Sequence, residues 1–184
     1  MPTEEIPSEK PLESEEDPEE EYKNAVLLKA LRNVEEIFAG VFLRSGVPSK
    51  KGKAVVERCF DGNNAKLTMD TLKQVIYQFL TKDFFNIPNT IESYKENLSP
   101  ETVSCLESDS DVSDMLMEYQ LYGKSLDDLY VKIAGYGFDK GFDKLVGRFS
   151  KIGHQIKYGN MENAGSEIGK LFKALVEEEN SGDL

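Results

Sequence analysis

The chain has 184 residues, a formal net charge of −12 and 39% hydrophobic residues, which is enough for one domain with a substantial core. No basic stripe with interleaved aromatic residues is present, so nucleic acid is excluded as a partner class. No run approaches the roughly 18 apolar residues of a membrane span, so we expect no transmembrane segment.

Residues 1–21 form an acidic, proline-rich segment with few apolar residues. Residues 1–22 hold ten acids and one lysine, a net charge of −9, which leaves −3 for the remainder. Such a composition cannot offset the entropy of ordering, so it predicts a disordered arm, either a solubilising tail or a docking strand. It also lacks the apolar core of a signal peptide. We therefore expect an intracellular, cytoplasmic protein, with ciliary, mitochondrial and secreted locations left open.

Apolar residues spaced by three and four predict helices along most of the chain. The first stripe runs from Ala25 to Phe42 and ends at a Gly-Val-Pro turn. A short helix through residues 55–60 follows, residues 61–66 (DGNNAK) are predicted as a turn, and a third helix runs from Thr68 to Leu80. Residues 84–88, which end in a proline, are predicted to break the pattern.

The second half continues in the same way. Ser99 and Pro100 mark a helix start, with short helices around 103–106, 112–122 and 126–133. Two longer stripes in residues 138–176, separated by Gly159 and Asn160, predict a helical hairpin. No alternating strand pattern is present. The prediction is an all-α fold, a compact bundle of about seven or eight helices within residues 22–178, followed by a short polar tail at 179–184.

Four glycines fall inside the predicted hairpin helices: Gly147, Gly153, Gly165 and Gly169. A glycine inside a helix costs about 1 kcal/mol relative to alanine. That cost is offset if the missing side chain lets another helix approach closely. We therefore predict that these four positions face neighbouring helices.

A basic cluster stands out near the first turn of the chain. It consists of the KKGK run and its flanking arginines, that is, Arg44, Lys50, Lys51, Lys53 and Arg58. The cluster is interpreted as a solvated turn, as a contact for an anionic partner, or as an internal partner for the acidic arm. Salt would weaken either of the last two contacts.

The two cysteines, Cys59 and Cys105, are too few for a disulfide framework and lack zinc-ligand spacing. In a reducing compartment we expect two buried thiols. If they pair, the bridge joins the first half of the domain to its middle.

No catalytic, cofactor-binding or metal-binding constellation is predicted. The best metal candidate is the alternating Asp109 and Asp111, but Asp114 stands where a calcium loop needs glycine. His154 is the only histidine, which removes multi-histidine metal sites and most imidazole-based catalysis. We therefore expect a protein that is not an enzyme and has no cofactor.

The run IFAGVFLRSG, followed by Cys59, and the closing run GNMENAGSEIGKLF resemble a small helical, cysteine-containing domain of ciliated protists. In that domain a closing segment of the form Gly-Asn/Asp-x-x-Asn-Ala-Gly-x-x-Ile-Gly is common. The similarity covers about half of the domain, and Ser45 and Gly46 replace a mid-helix glycine of the usual opening run. The resemblance implies a helical fold and no particular activity.

These features favour a non-enzymatic structural or interaction protein, an accessory subunit of a larger assembly with protein partners. The alternative is a helical carrier of an apolar ligand or lipid, because Phe79, Phe84, Phe85, Met115 and Met117 could enclose a pocket instead of a solid core. An enclosed apolar cavity would favour the carrier. An exposed apolar patch of several hundred Å² would favour the assembly subunit.

Overall fold

The computed structural model describes residues 17–181, with side chains described to residue 177, and every regular element in that range is helical. The all-α prediction is confirmed, although the described range holds nine α-helices rather than seven or eight. The helices are α1 Pro18–Ser45, α2 Ser49–Cys59, α3 Gly62–Leu80, α4 Ile87–Asn97, α5 Pro100–Ser108, α6 Ser110–Glu118, α7 Leu126–Lys140, α8 Phe142–Lys157 and α9 Met161–Ser181. A short 3₁₀ helix, Phe84–Asn86, precedes α4.

The first turns of two helices explain why α3 begins earlier than predicted and why α4 was not predicted at all. Asp61 accepts a hydrogen bond from the Asn64 amide at 2.8 Å, so the predicted turn at 61–66 is instead the first turn of α3. Pro88 lies in the first turn of α4, where its missing N–H has no helical partner to lose. That helix was predicted only as a break, and it is the additional one.

The first helix begins earlier in the chain than predicted. Asp17 caps α1 by accepting from the Glu19 amide at 3.2 Å, so the helix begins at Pro18 rather than near Tyr22. The KKGK run is not a turn, because it lies in the first turns of α2. Residues 1–16 of the predicted arm and the last residues of the predicted tail lie outside the described residues.

The longest helices, α1 and α9, cross with their backbones in direct contact. Gly40 of α1 lies against the backbone of Glu162 and Ser166, and Gly165 of α9 lies against the backbone of Ile37. A Cβ atom at either glycine would overlap main-chain atoms of the other helix. Main-chain atoms cannot move aside by changing rotamer, as a side chain can. The two runs that carry the resemblance meet at this crossing.

Three of the four glycines that were predicted to face other helices do so. Gly153, Gly165 and Gly169 each lie against atoms of a neighbouring helix. The prediction was wrong for Gly147, which is exposed and would meet nothing within 4 Å if it carried a Cβ atom. Gly147 lies inside α8, and no contact with another helix offsets the low helix propensity of glycine at this position.

The buried side chains form two clusters. The first lies around α1, α2 and α6 and includes Val34, Phe42 and Tyr119, whose hydroxyl donates to the Val41 carbonyl at 2.5 Å. The second lies between α3, α7, α8 and α9, and its centre is the Phe79 ring stacked on Phe149 at 3.9 Å. Side chains that contact both clusters mark the plane where they meet: Leu72, Leu129, Ile156, Ile168 and Phe172.

A disulfide joins Cys59 at the end of α2 to Cys105 in α5, across 46 residues of sequence. Of the two alternatives left open for the cysteines, the structure has the paired one. Hydrogen bonds surround the bridge. The Thr102 hydroxyl donates to the Cys59 carbonyl at 2.8 Å, and the Ser99 amide donates to the Asn64 side-chain oxygen at 2.9 Å. The α5 segment is therefore tied to both α2 and α3.

Candidate functional site

An apolar cavity of about 230 Å³ lies where the two core clusters meet, walled by α3, α4, α7, α8 and α9. Its inner end is formed by fully buried side chains such as Phe79, Ile87 and Ile152. Its outer end is formed by Tyr94 of α4, which is half-buried, and Leu126 of α7, which is exposed. This gradient of burial places the mouth between α4 and the beginning of α7.

The volume of the cavity sets the size of what it can hold. Apolar cavities of roughly 150 Å³ stay dry and accept benzene, and pockets for drug-sized ligands start at roughly 300 Å³. At about 230 Å³ this cavity falls between the two. It suits a molecule somewhat larger than a single aromatic ring, such as a short alkyl chain or two fused rings.

Hydroxyl groups on the cavity wall provide the polar feature of the site. The Thr68 hydroxyl donates to the Asn64 carbonyl at 2.8 Å, which uses its single hydrogen. The Tyr94 hydroxyl, 2.9 Å from the Thr68 oxygen, is therefore the donor in that pair, and its own oxygen keeps free lone pairs. Burial raises the pKa of Tyr94, so the group stays neutral. The two hydroxyls are therefore paired within the protein, and the cavity surface is almost entirely apolar.

An ion pair spans the two helices that flank the mouth. The Lys95 ammonium of α4 lies 2.7 Å from the Asp127 carboxylate of α7 and 3.1 Å from Glu92 on its own helix. The beginning of α7 is held in place by a capping box between Ser125 and Asp128. Exposed ion pairs contribute little to stability. The contact between α4 and the beginning of α7 therefore adds little to the stability of this part of the fold.

A second apolar feature, the aromatic patch, is defined by Phe84, Phe85, Phe138 and Phe142. The Phe142 ring lies 5.0 Å from Phe84 and 5.1 Å from Phe138. Phe85 is 96% exposed and Phe138 is 78% exposed. The patch adjoins the cavity, because Phe79 and Tyr130 belong to the walls of both.

The five residues that the sequence suggested as the lining of one pocket do not lie together in the structure. Of the five, only Phe79 lines the cavity, whereas Phe84 and Phe85 belong to the aromatic patch. Met115 is buried in the first core cluster and Met117 is exposed.

Sequence reasoning missed the wall contributed by α4. Ile87, Ile91 and Tyr94 are spaced by four and three, which is a helical stripe that could have revealed it. The stripe was overlooked because Pro88 was interpreted as a break.

The predicted basic cluster does not form one free surface. Arg58 lies 2.7 Å from the Asp109 carboxylate, and Lys51 lies 3.6 Å from Asp111. Burial alone would raise the pKa of Asp109, but the Arg58 guanidinium and backbone amides of α6 outweigh it and lower that pKa. The two aspartates of the rejected calcium loop are thus the partners of α2.

The remaining members of the cluster separate further. Arg44 donates from Nε to the Ser166 hydroxyl of α9 at 2.7 Å. Lys50 and Lys53 are exposed and make no ion pair with any residue of the described range. Three of the five predicted contact residues are therefore engaged within the molecule, and only these two lysines remain available to a partner.

Comparison of the chain with family models, with curated proteins and with solved structures gave no match. Across the part of the chain that the structure describes, no helix is both long and apolar enough to cross a membrane. Functional inference therefore depends on the geometry of the cavity and of the surface.

Proposed function

We propose that this protein is a non-enzymatic carrier that binds a small apolar molecule in the cavity between α3, α4, α7, α8 and α9. The observation that carries the proposal is the cavity of about 230 Å³, whose walls are almost entirely aliphatic and aromatic. Its polar groups are hydroxyls of threonine and tyrosine. Hydroxyls of this kind need an adjacent general base to act as nucleophiles, and none is found among the described residues that line the cavity.

The energetic cost of an empty cavity supports a functional reason for it. Protein interiors contain few voids larger than a water molecule. An enclosed cavity costs about 24 cal/mol per Å³, so about 5.5 kcal/mol is the upper limit for an empty 230 Å³ space that has a mouth. Net stabilities of domains are only about 5 to 15 kcal/mol. A ligand that fills the space would recover much of that free energy.

The disulfide bears on the cell compartment in which such a carrier would act. Disulfides persist in oxidising compartments and are rare in the reducing cytosol. The Cys59–Cys105 bridge therefore favours a secretory or extracellular location over the cytoplasmic one expected from the sequence. We propose that the carrier acts in an oxidising compartment.

The carrier proposal is tested with a tryptophan reporter, because the chain has no tryptophan of its own. We expect Leu129→Trp, inside the cavity, to emit at short wavelength and to respond to added naphthalene. Val131→Trp, two residues later on the same helix and 67% exposed, serves as the matched control. Its emission should be red-shifted and should not change with naphthalene. Fluorescence titration of both variants gives the comparison.

A change in thermal stability provides the second measurement, with the unmodified protein. Saturating naphthalene or 1-octanol should raise Tm, because a ligand that binds only the native state stabilises it by mass action. Leu129→Trp should reduce this shift by partly filling the cavity, and Val131→Trp should leave it unchanged. Equal emission from the two variants, with no Tm shift in the unmodified protein, would show that the cavity is not a binding site.

A second candidate function, an accessory subunit of an assembly, is favoured by the aromatic patch. Phe85 and Phe138 are both largely exposed and line the same recess, and contiguous exposed apolar side chains can mark an interaction site. Aromatic residues are also enriched at the centres of protein interfaces. The patch would supply the apolar core of such a contact.

The subunit function is tested with a photo-crosslinking amino acid at position 85 and, as control, at position 158. Both positions hold exposed aromatic residues, but Tyr158 lies outside the patch. We expect one adduct of defined mass from position 85 in the native source and none from position 158. The same weak pattern of adducts from both positions would contradict an interface at the patch.

A further inference from the structure

A groove with a cationic rim runs along the outer contact between α3 and α8. Phe79 stacks on Phe149, and Gly153 lies against Ile76, so residue numbers increase along α3 as they decrease along α8. The two helices are therefore antiparallel. This arrangement places Lys73 of α3 and Lys157 of α8 at the same end of the groove.

The rim carries uncompensated positive charge. Lys73 and Lys157 are exposed and make no ion pair with any described residue, and no acidic side chain lines the groove. His154 lies on the same wall as Lys157. Charge complementarity would match this positive rim with an acidic ligand.

The floor of the groove is apolar. It consists of Ile76, Leu80 and Ile156, and the Ile76 side chain packs against Gly153. From Lys73 to Leu80 the groove spans seven helical positions, or about 10 Å. That length accepts about three residues of extended chain. The site therefore fits a short extended segment that alternates glutamate with an apolar anchor.

The chain itself contains such a segment. Residues 1–16 hold six glutamates and one lysine, and two of the few apolar residues among them, Ile6 and Leu12, each have a glutamate next to them. The predicted basic cluster on α2 offers a poorer partner, because Arg58 and Lys51 are already paired with aspartates of α6. The groove between α3 and α8 is not paired in this way.

The reach of the segment is sufficient. Leu27 of α1 contacts Gly62 of α3. Asp17 lies ten residues before Leu27 in α1, and Lys73 lies eleven residues after Gly62 in α3. At a rise of about 1.5 Å per residue, and with roughly 9 Å between the helix axes, Asp17 and Lys73 are at most about 40 Å apart. Ile6 lies eleven residues before Asp17, a stretch that spans up to about 40 Å when extended, whereas the five residues from Leu12 span only up to about 18 Å.

We propose that the acidic segment of residues 1–16 docks in the groove between α3 and α8 of its own chain. Glutamates face Lys73 and Lys157, and Ile6 covers the apolar floor. The segment then competes with any other acidic peptide for this surface. The proposal is independent of ligand binding in the cavity.

Carbodiimide crosslinking of the full-length protein tests the contact, because the reagent joins a carboxylate directly to a lysine amine. We expect crosslinks from residues 4–16 to Lys73 and Lys157 at least fivefold above those to Lys50 and Lys53, which are equally free of ion pairs. The preference should disappear at 1 M NaCl, where the screening length is about 3 Å. A mixture of ¹⁴N- and ¹⁵N-labelled chains should give crosslinks within single isotopes only.

A matched pair of variants provides a second measurement. The rate at which a glutamate-specific protease cleaves the segment should rise at least threefold in K73Q/K157Q and should not change in K50Q/K53Q, which removes the same charge elsewhere. Uniform crosslinking to all four lysines, or equal cleavage rates in both variants, would overturn the docking. Crosslinks that mix isotopes would overturn docking within one chain and indicate contact between copies.

Discussion

Gly165→Ala is expected to destabilise the protein by about 3 kcal/mol, at the upper end of the usual cost of overpacking. The added methyl group would overlap the Ile37 backbone of α1, which can yield only if the two longest helices separate. The free energy of unfolding, measured from the urea midpoint with the slope of the transition unchanged, is the quantity to compare.

Gly147→Ala is the matched control, because it makes the same substitution in a neighbouring helix. Gly147 is exposed and has no neighbour that the methyl group would touch. It should therefore stabilise the protein by up to about 1 kcal/mol through helix propensity alone. If both substitutions had the same sign, the close crossing of α1 and α9 would not be the reason for glycine at position 165.

Removal of the disulfide is the other change with a large expected effect. Cys59→Ala combined with Cys105→Ala should lower the free energy of unfolding by about 4 kcal/mol, because the bridge closes a loop of 46 residues in the unfolded chain. For a domain of this size, that corresponds to a fall in Tm of about 10 °C. Thermal unfolding with and without reductant measures it.

The reductant provides the internal control for this prediction. Reduction should lower the Tm of the unmodified protein by nearly the amount that the double substitution does, and it should not affect the double variant. A reductant effect that persists without the two cysteines could not come from the bridge. No change in either case would mean that packing and hydrogen bonds around α5, such as that of Thr102 with the Cys59 carbonyl, hold the segment by themselves.

The first part of α3 connects the disulfide region with the cavity. The Asn64 side chain is bonded to Ser99 at the start of α5, and the Asn64 carbonyl accepts from Thr68, which in turn accepts from Tyr94 at the cavity mouth. The residues around the bridge and the cavity are thus linked through one set of hydrogen bonds. We expect naphthalene binding to weaken when the disulfide is removed, whereas Gly147→Ala should leave it unchanged.

Local patterns in the sequence were sufficient for most of the secondary structure. Stripes of apolar residues at a spacing of three and four predicted eight of the nine α-helices in the described range. The errors came from residue types that occur in two different local structures. Proline both breaks a helix and begins one, as Pro88 does in α4, and an Asp-Gly-Asn run forms either a turn or a capped first turn, as at Asp61.

The sequence by itself determined that this protein is all-helical and that its acidity lies largely near its beginning, and it predicted close packing correctly for three of four hairpin glycines. Only the tertiary structure decided which charges are free, since Arg58 and Lys51 meet aspartates more than fifty residues away. It also decided that Cys59 and Cys105 pair, and that five helices leave a cavity between them. These properties depend on the relative position of distant segments, whereas periodicity reports only which face of each helix is apolar.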